Sequence, residues 1–118
     1  MKSYSKEKQS DFEVRGPRAY IRWDHTEETK TDFDGESTTQ WVCEEIAVDK
    51  HISRDSLIET IIRTQYPDYG SEIAAINNGG EEYTVYQAFR ERSKSIADGY
   101  IEYLFNKNNL VTQKVQIQ

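Results

Sequence analysis

Ala19-Tyr20-Ile21-Arg22-Trp23-Asp24-His25-Thr26, then Asp34-Gly35, then Trp41-Val42-Cys43-Glu44-Glu45-Ile46-Ala47-Val48: this stretch decides the fold. β-branched and aromatic residues alternate with polar ones on both sides of an Asp-Gly pair, the strongest short hairpin signal a sequence carries. The reading is two antiparallel strands, residues 19–30 and 37–48. A two-residue turn at Asp34-Gly35 would pair Phe33 with Glu36, Glu27 with Val42, Trp23 with Ile46 and Ile21 with Val48. One face then holds Ile21, Trp23, Val42, Ile46 and Val48, with His25 opposite Glu44. The other holds Tyr20, Arg22, Asp24, Thr26, Trp41, Cys43 and Ala47.

A lone hairpin is marginal in water and needs a further layer. The sequence after it supplies helices. Ser53 is a suitable N-cap, and Leu57, Ile58, Ile61 and Ile62 fall on one helical face. Pro67 ends that segment. Ser71 is placed to cap a short second helix, which Asn78-Gly79-Gly80 terminates. A third helix begins near Glu81, whose charge suits a helix N-terminus. It carries a stripe of Tyr83, Tyr86, Phe89, Ser93, Ile96, Tyr100 and Tyr103 at steps of three and four. Asn106 to Asn109 interrupt that pattern. Alternation of Val111, Val115 and Ile117 in the tail from Leu110 to Gln118 predicts a final strand. Residues 1–17 are polar, end in the turn signal Gly16-Pro17, and read as a flexible arm. The expected architecture is therefore α+β: an arm over 1–17, then a single domain over 18–118. That domain has an N-terminal antiparallel hairpin (about 19–48), about three helices (about 54–105) and the C-terminal strand.

Composition narrows the function. The 118 residues carry a net charge of −6. Nucleic-acid backbones are held by an excess of Lys and Arg, so direct nucleic-acid binding is not expected. No run approaches the roughly 20 apolar residues of a membrane-spanning helix, and no apolar stretch follows the first residues as in a secretory signal. Cys43 stands alone, which suits synthesis in a reducing cytoplasm. Leu, Ile, Val and Phe make up about one residue in five, near the floor for a self-sufficient core. Tyrosine and tryptophan have to complete it.

The charge is also segregated. Lys2, Lys6, Lys8, Arg15, Arg18 and Arg22 crowd the N-terminal end, and residues 24–49 hold nine carboxylates against Lys30. Such a division suits contact between unlike surfaces of successive copies. The expected interaction residues are Arg15, Arg18, Tyr20, Arg22 and Trp41 on the arm and hairpin, and Asp32, Asp34 and Glu36 at its tip. Exposed Tyr, Trp and Arg are typical binding anchors.

Catalytic constellations do not emerge. The chain has no dinucleotide, Walker, zincin or nucleophile-elbow pattern. His25 and His51 are the only imidazoles, and His25 with Glu44 falls short of the three or four ligands zinc requires. Cys43 sits mid-strand without an activating base. Adjacent carboxylate pairs such as Glu27-Glu28 and Glu44-Glu45 point to opposite faces of a strand. The expectation is a non-enzymatic protein with no cofactor and no metal. An enzyme would need a histidine or carboxylate in a closed pocket beside a third ionisable group.

The run Ala19 to Asp24, the acidic Thr-rich hairpin through Gln40-Trp41, the stretch Ser53-Arg54-Asp55-Ser56-Leu57-Ile58-Glu59-Thr60-Ile61-Ile62-Arg63 and the stretch Tyr83-Thr84-Val85-Tyr86-Gln87-Ala88-Phe89-Arg90 resemble small phage- and prophage-encoded proteins of gut bacteria, often encoded near tail genes. The resemblance covers roughly residues 19–98 and leaves the tail from Gly99 outside it. It implies a virion-associated or accessory protein, made in the host cytoplasm, working through protein partners as a homo- or hetero-oligomer. A second expectation is an acidic protein that binds and inhibits a host defence component, since an acidic surface steers onto basic partners.

Overall fold

The computed structural model describes the backbone of residues 1–117 and the side chains of residues 1–107. The chain is α+β, an antiparallel sheet followed by three helices. Strands β1 (Lys2–Ser5), β2 (Phe12–Arg15), β3 (Arg18–Thr31) and β4 (Ser37–Asp49) form one sheet in the order β1-β4-β3-β2. Helices α1 (Arg54–Arg63), α2 (Tyr69–Asn78) and α3 (Gly80–Ile117) follow. The chain's contacts separate into two compact units, Met1–His51 and the residues from Ile52 onward, where the sequence suggests one domain over 18–118.

The central hairpin is present, but its register differs from that of a two-residue turn. The loop is Phe33-Asp34-Gly35, closed by Asp32 N–H to Glu36 C=O at 2.8 Å and Gly35 N–H to Asp32 C=O at 3.0 Å. Gly35 takes φ 80°, the left-handed residue that a three-residue hairpin loop requires. Thr31 thus pairs with Ser37, Glu27 with Trp41 and Thr26 with Val42. A bulge between Trp23 and Thr26 shifts the ladder once more, with Asp24 at φ 57°. Below it Trp23 meets Glu44, Ile21 meets Ile46 and Ala19 meets Val48. The two slips add to two residues at the base, which restores side-chain parity. Ile21, Trp23, Val42 and Val48 therefore remain together and buried, joined by Ala19.

Residues 1–17 are not an arm. Tyr4 pairs with Val42 and Lys2 with Glu44 along one edge of the hairpin, while Phe12 pairs with Ile21 and Val14 with Ala19 along the other. The polar composition hid two short strands because an edge strand in a thin sheet buries few side chains. Gly16-Pro17 turns β2 into β3, with Gly16 at φ 57°.

In the helical unit, α1 and α2 both pack on α3. Ser53 caps α1, its hydroxyl accepting from Ser56 N–H at 3.2 Å. Leu57 and Ile61 are fully buried and Ile62 nearly so. α2 starts earlier than Ser71 implies. Asp68 is the N-cap and accepts from Ser71 N–H, while the Ser71 hydroxyl faces back toward the Asp68 backbone in a reciprocal capping box. Gly79 and Gly80 both take positive φ and separate α2 from α3. The buried side of α3 runs through Tyr86, Phe89, Ser93, Ala97 and Tyr100, whereas Tyr83 at its start is exposed. Tyr66 meets the Tyr86 ring edge-on at 5.0 Å. The bounds of α3 take in residues 110–117, where a strand is expected. Val111 and Val115 are four apart, a spacing that suits a helix equally well. Side chains there, and Gln118, lie outside the described residues.

Candidate functional site

Two features of the sheet unit bear on function: a polar face locked from within, and a bare ribbon beyond it. The strand order creates the first. β1 lies on the β4 edge and β2 on the β3 edge, so the connection over residues 6–11 must cross a face. It crosses the one bearing Trp41, Cys43 and Arg22. Lys8 Nζ stands 5.9 Å from the Trp41 ring centre. Gln9 Oε1 accepts from Ser3 Oγ at 2.9 Å and lies 3.8 Å from Cys43 Sγ. Ser10 C=O accepts from Arg22 Nη1 at 3.2 Å, and Asp11 C=O from Arg22 N–H at 2.8 Å.

Beneath this strap the Arg22 guanidinium is buried, its side chain 2% exposed. It donates to Glu45 Oε2 at 2.6 Å and to Glu13 Oε1 at 3.0 Å. Burial works against the charge, but the hydrogen bonds to Glu45 and Glu13 outweigh it and raise the Arg22 pKa. Glu13 also binds Arg15; that hydrogen bond is the main cause of its lowered pKa, Arg22 adding to it against desolvation. Arg15 and Arg22 sit 5.1 and 5.7 Å from the Tyr20 ring centre. Of the expected interaction residues, Arg22 is thus buried and Tyr20 and Trp41 half-buried in the sheet's own polar layer, while Arg15 stays exposed and pairs with Glu13. Arg18 stays exposed, opposite Asp49 in the ladder.

His25 is not placed as the hairpin pattern suggests. His25 Nε2 lies 2.7 Å from Asp11 Oδ1, not against Glu44, because the bulge removes it from the ladder. His51 is exposed. Cys43 is buried, and burial pushes its thiol pKa up, the opposite of an activated thiolate. No group of three or more His, Cys, Asp and Glu with metal-holding geometry occurs among the described residues. Among them, no helix is long and apolar enough to cross a membrane.

The second feature is the outer hairpin. β1 reaches β4 only at residues 41–44, and β2 reaches β3 only at 18–21. Residues 28–31 and 37–40 therefore continue as a ribbon of two strands alone. Four paired positions at about 3.3 Å each give a finger roughly 13 Å long. Every residue from Thr26 to Thr39 is exposed. Thr26, Thr29, Thr31, Thr38 and Thr39 supply β-branched side chains that favour the extended backbone, and Thr29 pairs with Thr39. Glu27, Glu28, Asp32, Asp34 and Glu36 stand against Lys30 alone. At the tip, Phe33 is fully exposed between Asp32 and Asp34. The acidic tip residues are thus brought together as the sequence suggests. The sequence reading misses Phe33 as a surface feature, although its position beside Asp34-Gly35 is the available signal.

The helical unit carries a groove of about 470 Å³ whose lining includes Ile58, Ile62, Ile73, Ile76, Arg63 and Glu72. Arg63 donates to Glu72 at 2.8 Å and Tyr86 Oη donates to the other Glu72 oxygen at 2.8 Å. Burial opposes ionisation of Glu72, yet these two hydrogen bonds hold its pKa below the ordinary carboxylate value.

No protein family, no curated protein and no solved structure matches this chain.

Proposed function

We propose that this protein acts by protein–protein contact, with the hairpin finger over residues 28–40 as the contacting element. The observation that carries the reading is the finger itself: a two-stranded ribbon, exposed on both sides, ending in an unburied phenylalanine. Ribbons of this kind are marginal alone, and an aromatic group left in water at a loop tip gains free energy only when a partner buries it. The charged side chains along the ribbon discourage edge-to-edge strand addition, which favours contact through the tip. The resemblance of residues 19–98 to phage-encoded proteins supports a virion accessory role, tail-associated, for that contact.

The acidic finger also supports a second reading, capture of a basic host protein by a soluble inhibitor. One variant separates them. Residues 28–40 are replaced by Asn-Gly, so that Glu27 and Trp41 keep their pairing across a two-residue turn. Tryptophan fluorescence verifies that the sheet still folds. Mass spectrometry of purified particles then compares the two chains. The full chain is expected in the particle and the trimmed chain absent from it. Equal incorporation of both refutes the finger as the contact. Absence of the full chain from particles, with finger-dependent binding to a purified host protein, replaces the first reading by the second.

A further inference from the structure

We infer that the groove on the helical unit receives the finger tip of a second copy of this chain, seating Phe33 on the Ile58, Ile73 and Ile76 side chains. This rests on the finger being the contact element and names its receptor. Ile73 and Ile76 are exposed although aliphatic, and they line the groove together with Ile58. Its volume of about 470 Å³ lies within the range of built binding sites, roughly 300–1,000 Å³, and exceeds what one aromatic ring occupies.

Charge decides which occupant fits. The chain is −6 overall, yet Arg54, Arg63, Arg90 and Lys94 line this groove against Asp55, Glu59 and Glu72. Two of those carboxylates are already held by Arg63, Glu72 at 2.8 Å and Glu59 at 3.6 Å, and Arg54 is itself held by Asp98 at 2.5 Å and lies 3.9 Å from Asp55, so the cations an incoming anion would meet are Arg90 and Lys94. On the α3 wall, Lys94 meets the exposed Glu91 at 3.0 Å, a surface pair of little strength that an incoming carboxylate can displace. The finger tip is the complement: Asp32, Asp34 and Glu36 flank Phe33, and no cation occurs from Thr31 to Gln40. Phe33 would enter the apolar floor with Asp32 and Asp34 beside Arg90 and Lys94. Finger and groove are different surfaces, so the contact is heterologous and propagates from copy to copy.

Sedimentation velocity on the full chain tests this. The wild type is expected to grow beyond a dimer as concentration rises, and to shrink as salt screens the pairing. Phe33→Ala should weaken association at least about tenfold, the loss of one anchoring aromatic. A groove variant, Ile73→Asp with Lys94→Glu, alters exposed or half-exposed positions and should weaken it similarly, with helical circular dichroism verifying the fold. Mixed together, the two variants retain one good finger and one good groove between them, and should form a 1:1 complex that stops at two chains. A wild type that stays monomeric up to about 1 mM, a Phe33→Ala chain that associates like wild type, or a mixture that fails to pair overturns the inference. Finger-dependent entry into particles by a monomeric wild type would refute the groove as receptor and leave the proposed function standing. Finger-independent entry beside normal self-association would do the reverse.

Discussion

Arg22→Ala should destabilise the sheet unit by about 3 kcal/mol. The guanidinium is 2% exposed, whereas Glu45 and Glu13 are 19% and 32% exposed. Removing one member of a buried ion pair costs roughly 3–5 kcal/mol, mainly because the remaining charge is left without a partner. Here Glu45 loses its partner and the Ser10 carbonyl its donor, but Glu13 keeps Arg15 and access to water. That places the cost at the lower end. Both tryptophans, Trp23 and Trp41, lie in the sheet unit, so their fluorescence follows its unfolding in urea. With a slope of about 1 kcal/mol per molar urea, the midpoint should fall by about 3 M. Arg22→Met with Glu45→Met and Glu13→Gln removes the charges together, and should recover most of the loss, because apolar replacement of a whole buried ionic cluster is often close to neutral. A single Arg22→Ala change costing less than about 1 kcal/mol, or a triple variant no better than the single one, would refute the reasoning.

Three other outcomes are expected. Leu57→Ala, at a fully buried position on α1, should cost about 3 kcal/mol, read from the helical circular dichroism signal in urea. Gly35→Ala should cost about 1 kcal/mol in tryptophan-monitored unfolding; a methyl group there meets nothing within 4 Å, so the penalty is the positive φ alone. Glu72 has a folded-state pKa below its unfolded value. Its contribution is therefore fully present above the unfolded value of about 4.3 and is lost as pH falls through the lower folded value. Glu72→Gln should be less stable than wild type at pH 7 and 5 and converge with it in stronger acid; a gap independent of pH would contradict this.

The hairpin, the three helices and most of their buried faces were legible because periodicity and burial reinforce each other there. Leu57, Ile61 and Ile62 show this in α1, and Tyr86, Phe89 and Tyr100 in α3. Register was not legible, since Asp34-Gly35 suits both a two- and a three-residue loop, and the bulge at Asp24 has no sequence mark of its own. The edge strands were missed for a related reason: Lys2 to Ser5 acquire their structure from β4, not from their own composition. The same contacts moved Arg22 from the surface to the interior. Sequence assigns its charge; only the strap over residues 6–11 decides whether that charge faces water or Glu45. The finger's acidity was readable, but its isolation depends on how far β1 and β2 reach.

The order of the strands also dictates an order of events. Lys2 to Ser5 have no place until residues 41–44 exist and have bent back on β3, because β4 is their sole neighbour in the sheet. The earliest-made segment is consequently among the last to be fastened, and it brings with it the loop that shuts Arg22 away from solvent. A chain halted between Trp41 and Glu44 would hold a complete finger, yet leave that guanidinium without Glu45 and open to whatever anion came first.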